Sequence, residues 1–210
     1  MKKNNYSVLI VIFFVAFVLK SCAVPALPKK QFIYSSDNPN ALLVGSVTFP
    51  KEDAAADSYF FRVTSIDSDK KIAGKNSTEI HIKPKFIYRL IHNGQLDNGK
   101  TYLFAIERPE GKYEIPSIRI FRNQAAIAAV KDFYIGGFSI PFELKKGEIK
   151  YIGNIVFNEY AGKNDTMISL ENNFEKDIAK LKEKRPLIEW KNTINDFNIK
   201  LERTSKKAKL

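Results

Sequence analysis

Apolar and polar residues alternate with a period of two along most of residues 41–170, and turn residues separate the runs. Ala41–Phe49 is the first run and Pro50 closes it. Tyr59–Ile66 follows and ends in Asp67-Ser68-Asp69-Lys70-Lys71. Thr78–Lys83 sends Ile80 and Ile82 one way and Glu79, His81 and Lys83 the other, which predicts a half-buried strand with an exposed His81. Phe86–Ile91 runs into Asn93-Gly94, and Thr101–Glu107 places Tyr102, Phe104 and Ile106 on one face. Arg108-Pro109-Glu110-Gly111 has the residues of a type I turn, with Tyr113–Phe121 running back from it. Phe138–Leu144, the turn Lys145-Lys146-Gly147-Glu148 and Ile149–Phe157 predict a hairpin. Thr166–Leu170 reads as the last short strand.

Two regions break the rhythm. Arg122–Lys131 is too rich in alanine for a strand pattern, and Asp132–Ile135 runs into Gly136-Gly137. Residues 122–137 therefore predict a long excursion with at most one helical turn. At residue 171 the period changes: Phe174, Ile178 and Leu181 fall on one helical stripe. Asn172 or Asn173 can cap it, Glu175 and Asp177 sit in its first turn, and Pro186 stops it. Asn195–Leu201 fits both periods, and Thr204–Leu210 is a basic tail. The pattern predicts a mainly β chain: an antiparallel β-sandwich of about eight strands with a C-terminal α-helical appendage.

The start of the chain has another pattern. Met1–Asn5 is short and basic, Tyr6–Leu19 is a 14-residue run without charge, and Leu19-Lys20-Ser21-Cys22 follows, holding the only cysteine. A basic start, an apolar run and a small residue at the cut are the parts of a secretory signal. With Cys22 placed after Ser21, the segment resembles the type II signal and lipobox of bacterial lipoproteins, although Lys20 departs from the small or apolar residue usual there. The resemblance implies acylation of Cys22 and cleavage before it. It also implies that Ala23, where an aspartate would favour the inner membrane, favours the outer one. Two other readings stay open: an ordinary cleaved signal, and an uncleaved span. Fourteen residues reach only roughly 21 Å as a helix against a hydrocarbon core of ~30 Å. The organisation read from the sequence is thus a signal peptide over 1–21 and a lipidated Cys22 with a proline-containing tether over 22–40, within which Gln31–Tyr34 can already dock as a strand. A β domain over 41–170 and a helix with tail over 171–210 follow.

Within the body, Tyr102-Leu-Phe-Ala105, Glu110-Gly-Lys-Tyr113 and Gly147-Glu-Ile-Lys-Tyr-Ile-Gly153 resemble uncharacterised envelope lipoproteins with an immunoglobulin- or transthyretin-like sandwich. That resemblance implies architecture and no activity.

The formal net charge is +11, of which Lys2, Lys3 and Lys20 would leave with the signal, so 11 − 3 = +8 remains. The basic residues are 27 Lys and 7 Arg, whereas nucleic-acid sites lean on arginine's bidentate fork. The charge therefore points to anionic headgroups or acidic polysaccharide and away from nucleic acid. Chemistry has few carriers. His81 and His92 are the only histidines, with no spacing signal for a third metal ligand. Asp67-Ser68-Asp69 is followed by lysines and no closing glutamate, unlike a calcium loop. No nucleophile elbow, zinc-protease helix or phosphate loop occurs. Asn76-Ser-Thr78 and Asn164-Asp-Thr166 match a glycosylation acceptor only by composition. Tyr102, Phe104, Tyr113, Phe121 and Tyr151 are candidates for a sugar-stacking platform, with core packing as the competing role. The expectation is a membrane-anchored envelope lipoprotein. It has no catalytic residues, no metal and no cofactor, and acts as a binding or assembly module for an envelope protein or acidic polysaccharide. The alternative is a hydrolase or carbohydrate-binding protein acting on envelope polymers.

Overall fold

A computed structural model describes residues 23–203 apart from 87–89, 125–128 and 196. The signal segment, Cys22 and the tail from residue 204 lie outside the described residues. The described chain is mainly β, with several sheets and two helices.

One sheet has the order β1 (Ala23–Pro25), β4 (Thr78–Ile82), β3 (Ser58–Ser65), β8 (Gly111–Gln124), β11 (Pro141–Leu144), with β9 (Ala129–Ile135) also against β8. The second has the order β13 (Ile168–Glu171), β12 (Ile149–Phe157), β2 (Ala41–Thr48), β7 (Thr101–Arg108), with β14 (Thr193–Asn195) also against β12. Two-stranded pairs are formed by β5 (Lys85–Phe86) with β6 (Leu90–Ile91) and by β10 (Phe138–Ser139) with β15 (Glu202–Arg203). The helices are α1 (Lys70–Asn76) and α2 (Phe174–Lys184).

One apolar cluster is shared by the two larger sheets. Leu43, Val47, Phe104 and Phe157 from one meet Tyr59, Phe61, Ile80 and Ile115 from the other. A second cluster lies on the other face of the second sheet. There Leu42, Val44, Leu103 and Tyr151 are covered by Ile178 and Leu181 of α2, by Ile188 and Trp190, and by Tyr34. β2 is therefore buried on both faces, which is why it reads as a nearly continuous apolar run.

The pairing is mixed, not antiparallel throughout. β2 runs parallel to β12, β1 parallel to β4, and β14 parallel to β12. β2 and β12 are about a hundred residues apart, so no tight turn dictates their direction. The two turns expected to close hairpins do something else. β7 and β8 belong to different sheets, as do β11 and β12, so Pro109-Glu110 and Lys145–Glu148 carry the chain across the core. Turn residues report a reversal of direction, and a reversal between sheets uses the same residues as one within a sheet. Tyr113, just after the first crossing, donates its hydroxyl proton back to the Pro109 carbonyl at 2.8 Å and pins that corner.

Residues 122–137 also differ from expectation. β8 continues to Gln124 and β9 returns from Ala129, paired from Gln124↔Ala129 to Ile118↔Ile135. The weak β-propensity of alanine is overridden by a partner strand already fixed in the core. Pro116 sits mid-strand where both neighbours give way. The β3 register shifts between Arg62 and Thr64, and on the other side β9 ends at Ile118 before β11 begins at Glu114. The buried positions of β8 accordingly slip from Tyr113 and Ile115 to Ile118 and Ile120.

Candidate functional site

Among the described residues, three places bring chemistry-bearing side chains together. The first is sealed inside one end of the two sheets. The Tyr59 hydroxyl donates to Glu159 Oε2, and Ala55 N donates to the same oxygen at 3.1 Å. His92 Nε2 lies 3.4 Å from Glu159 Oε1, and His92 Nδ1 lies 3.1 Å from the Tyr102 hydroxyl. Phe49 stacks on the imidazole with centroids 4.2 Å apart. The side chains of His92 and Glu159 are 1% and 3% exposed, so no substrate atom reaches them. Burial is the main cause that drives the Tyr59 hydroxyl far above its ordinary pKa and pushes Tyr102 up to about 12. Both tyrosines therefore stay neutral donors, and the cluster works as a polar pin in the core.

The second place lies under α2. Asp177 Oδ2 accepts from the Ser46 hydroxyl at 2.6 Å and from the Tyr151 hydroxyl at 2.7 Å. Ser46 also reaches Asn154 Oδ1 at 2.9 Å, as does Thr48, and Thr48 continues to Thr101 and from there to Asp97. Asp97 pairs with Lys176, the neighbour of Asp177 on the helix. Asp177 is fully buried, and its Oδ1 has no hydrogen-bond partner. Burial raises its pKa, against the lowering effect of its two hydroxyl donors. Ser46 and Asn154 are equally enclosed, so this site too faces no ligand.

The third place is the end of the first sheet at which the chain enters it. Cys22 lies outside the described residues, but Ala23, Val24 and Pro25 pair in parallel with Glu79, Ile80 and His81. This segment packs on the domain, at Phe32 and Tyr34 as the run Gln31–Tyr34 leads one to expect. The Ala26 carbonyl accepts from Ala105 N at 2.7 Å, Phe32 packs on the second cluster, and Tyr34 is buried with its hydroxyl between the Asn40 and Glu148 carbonyls. Proline is tolerated there because β1 is an edge strand. Beside this entry stands α1, whose N-terminus is capped by Asp69 accepting from Lys71 N and Ile72 N. None of the α1 residues is buried. Ser65 N donates to Ser77 Oγ at 3.0 Å and Arg108 Nη1 to the Asn76 carbonyl at 3.4 Å, which ties α1 to the sheet. A shallow cleft of about 450 Å³ lies alongside, with Phe32, Lys75, Glu107 and Arg108 in its walls.

His81 is half-buried, not exposed: it stacks on Phe60 at 4.3 Å, and its Nε2 lies 3.1 Å from Ser58 Oγ. Burial, then Lys83 and Arg119, hold its pKa below the ordinary value. The proposed stacking platform is not one surface, because Tyr102, Phe104, Tyr113 and Tyr151 are core residues and only Phe121 is partly exposed. Asn173 caps α2 by position, with no side-chain bond, while Asn172 Oδ1 accepts from Phe174 N. Among the described residues no group of three or more His, Cys, Asp or Glu is placed to hold a metal, and no helix is long and apolar enough to cross a membrane. Glu159 and Asp177 are the charged residues that reading the sequence missed. Each sits beside turn or helix-cap residues and looks solvated locally; only the packing of a distant element encloses it.

No protein-family model matches the chain, and no curated protein and no solved structure matches it.

Proposed function

We propose that this chain is an envelope lipoprotein of the outer membrane, held by lipid on Cys22 and acting there as a non-catalytic binding or assembly module. The observation that carries the reading is the joint between leader and fold. The basic start, the uncharged run and Ser21-Cys22 end where β1 begins at Ala23. A chain cut before Cys22 would keep every described strand. The new terminus would stand one residue before the edge strand β1. The shared cluster of the two larger sheets supports reading the body as a β-sandwich, with α2 as its C-terminal appendage over the outer face. The non-catalytic role is supported by the use of the buried polar groups: Tyr59, His92, Glu159 and the Oδ2 atom of Asp177 are engaged in internal bonds.

Two or more acyl chains, at about 0.8 kcal/mol per buried methylene, make release from a bilayer negligible. The full chain expressed with its own leader should partition into the detergent phase, and Cys22→Ser should move it to the aqueous phase. Equal partitioning of the two would sink lipid anchoring and favour an uncleaved span. Partners are to be sought by crosslinking the acylated protein in membranes; reproducible recovery of one envelope protein is the expected result.

A further inference from the structure

We propose that the α1 end of the molecule lies against an anionic phospholipid surface; this rests on the Cys22 anchor proposed above. The registers place the anchor point there. Val63↔Thr78 and Ala23↔Glu79 put the first residue of β1 at the end of the sheet where β3 leaves through Ser65. β1 runs parallel to β4, away from that end, so the chain enters β1 from there. Ser65↔Tyr113 and Leu144↔Gly111 bring the crossings 109–110 and 145–148 to the same end.

The surface around this point has the chemistry of a headgroup contact. Lys70, Lys71, Lys75, Lys112, Lys145 and Lys146 are all exposed there. Asp67, Asp69, Glu110 and Glu143 are exposed among them, but Asp67 and Asp69 accept backbone N–H groups at the start of α1. Ile66 and Ile72, on the same loop and helix, are 53% and 46% exposed. Lysines around isolated apolar side chains match an anionic interface, where stems and isoleucines enter the headgroup layer and ammoniums meet phosphate. The opposite end is mixed in charge, exposing Glu52, Asp53, Asp97 and Asp165 together with Lys51, Lys83, Lys163 and Lys176. A short anchor beside the basic end fixes an orientation: lysines down, far end toward the aqueous side.

The test uses the full-length acylated protein in vesicles of phosphatidylethanolamine and phosphatidylglycerol containing a lipid spin-labelled near the headgroup. With Cys22 acylated, a fluorophore attaches to a single introduced thiol, at Ile72→Cys or, for the far end, Asp165→Cys. The Ile72 label should be quenched several-fold more strongly than the Asp165 label. The combined Lys70→Glu, Lys71→Glu and Lys75→Glu variant, or high salt, should abolish the difference, because surface charges are screened within about 10 Å at 0.1 M salt. Equal quenching at both labels, or none at either, in protein that still partitions with the vesicles overturns the docking and leaves the anchor standing. Identical partitioning of wild type and Cys22→Ser removes the anchor, and the docking with it.

Discussion

The two faces of β2 are buried alike and built differently. Inward, Ala41, Leu43 and Val47 join an apolar cluster in which fit alone sets position. Gly45 is part of that fit, since a Cβ there would stand 2.6 Å from Phe104 Cζ and 2.7 Å from the Gly153 carbonyl. Outward, Leu42 and Val44 are apolar, but Ser46 and Thr48 open the hydroxyl chain that ends on Asp177 and Asp97. Dispersion and water exclusion are non-directional, so the inner face specifies volume. Hydrogen bonds are directional and costly when unmade, so the outer face specifies where α2 sits along the sheet. One strand thus holds two layers by two kinds of force.

The difference predicts two modes of failure. Phe157→Ala removes a fully buried ring from the inner cluster and should cost about 3–5 kcal/mol, with all probes melting together. Leu181→Ala, on α2, should fall at the lower end of about 2–5 kcal/mol. It should also loosen the outer layer first. Trp190 is the only tryptophan and belongs to that layer, so its fluorescence should change at lower urea than the far-ultraviolet circular dichroism of the sheets. Coincident transitions in this variant would show the two layers to be one cooperative unit and break the comparison. A smaller effect tests the joint between the layers. Gly147 has φ +73°, and a Cβ there would meet the Ser36 carbonyl at 2.1 Å. Gly147→Val should cost about 1–3 kcal/mol through backbone strain alone, and an unchanged melting temperature would show that the crossing relaxes freely.

The same contrast explains what the sequence disclosed. The inner face was legible because alternation is a local signal: Ile80 and Ile82, or Tyr102, Phe104 and Ile106, need no knowledge of their partners to be sent inward. Gly147 was legible as a turn, since Lys146-Gly147 stands between two apolar runs. Its destination was not, because a turn sequence does not say which sheet the next strand joins. Strand direction was lost for the same reason: the β2 to β12 pairing joins residues far apart along the chain. The strand pair on either side of residues 125–128 was hidden by alanine, whose preference yields to a long partner. Asp177 was hidden most thoroughly. Placed in the first turn of an amphipathic helix it reads as a dipole partner, and only Ser46 and Tyr151 on the sheet below reveal it as a buried acceptor.

Asp177 also gives the smallest and sharpest test. Ser46 has one proton and two acceptors, Asp177 Oδ2 and Asn154 Oδ1. A protonated Asp177 would donate to Ser46 and free that proton for Asn154. Burial raises the Asp177 pKa above its unfolded value of about 3.9, so the folded state takes up a proton that the unfolded state has released. The resulting stabilisation is complete below the unfolded pKa and is lost as pH rises through the folded one. Asp97, whose pKa is lowered by its bonds from Lys176 and Thr101, works in the opposite sense, losing stabilisation as pH falls. Comparing wild type with Asp177→Asn leaves Asp97 in place and isolates the buried carboxyl. Asparagine keeps an acceptor for Ser46 and Tyr151 and carries no charge. Relative to wild type the variant should therefore gain stability with rising pH between acid and neutral solution. Urea midpoints at a series of pH values read this directly. A difference that stays constant from acid to neutral pH would mean that Asp177 does not change protonation on folding, and that it meets Ser46 and Tyr151 as an ionised acceptor.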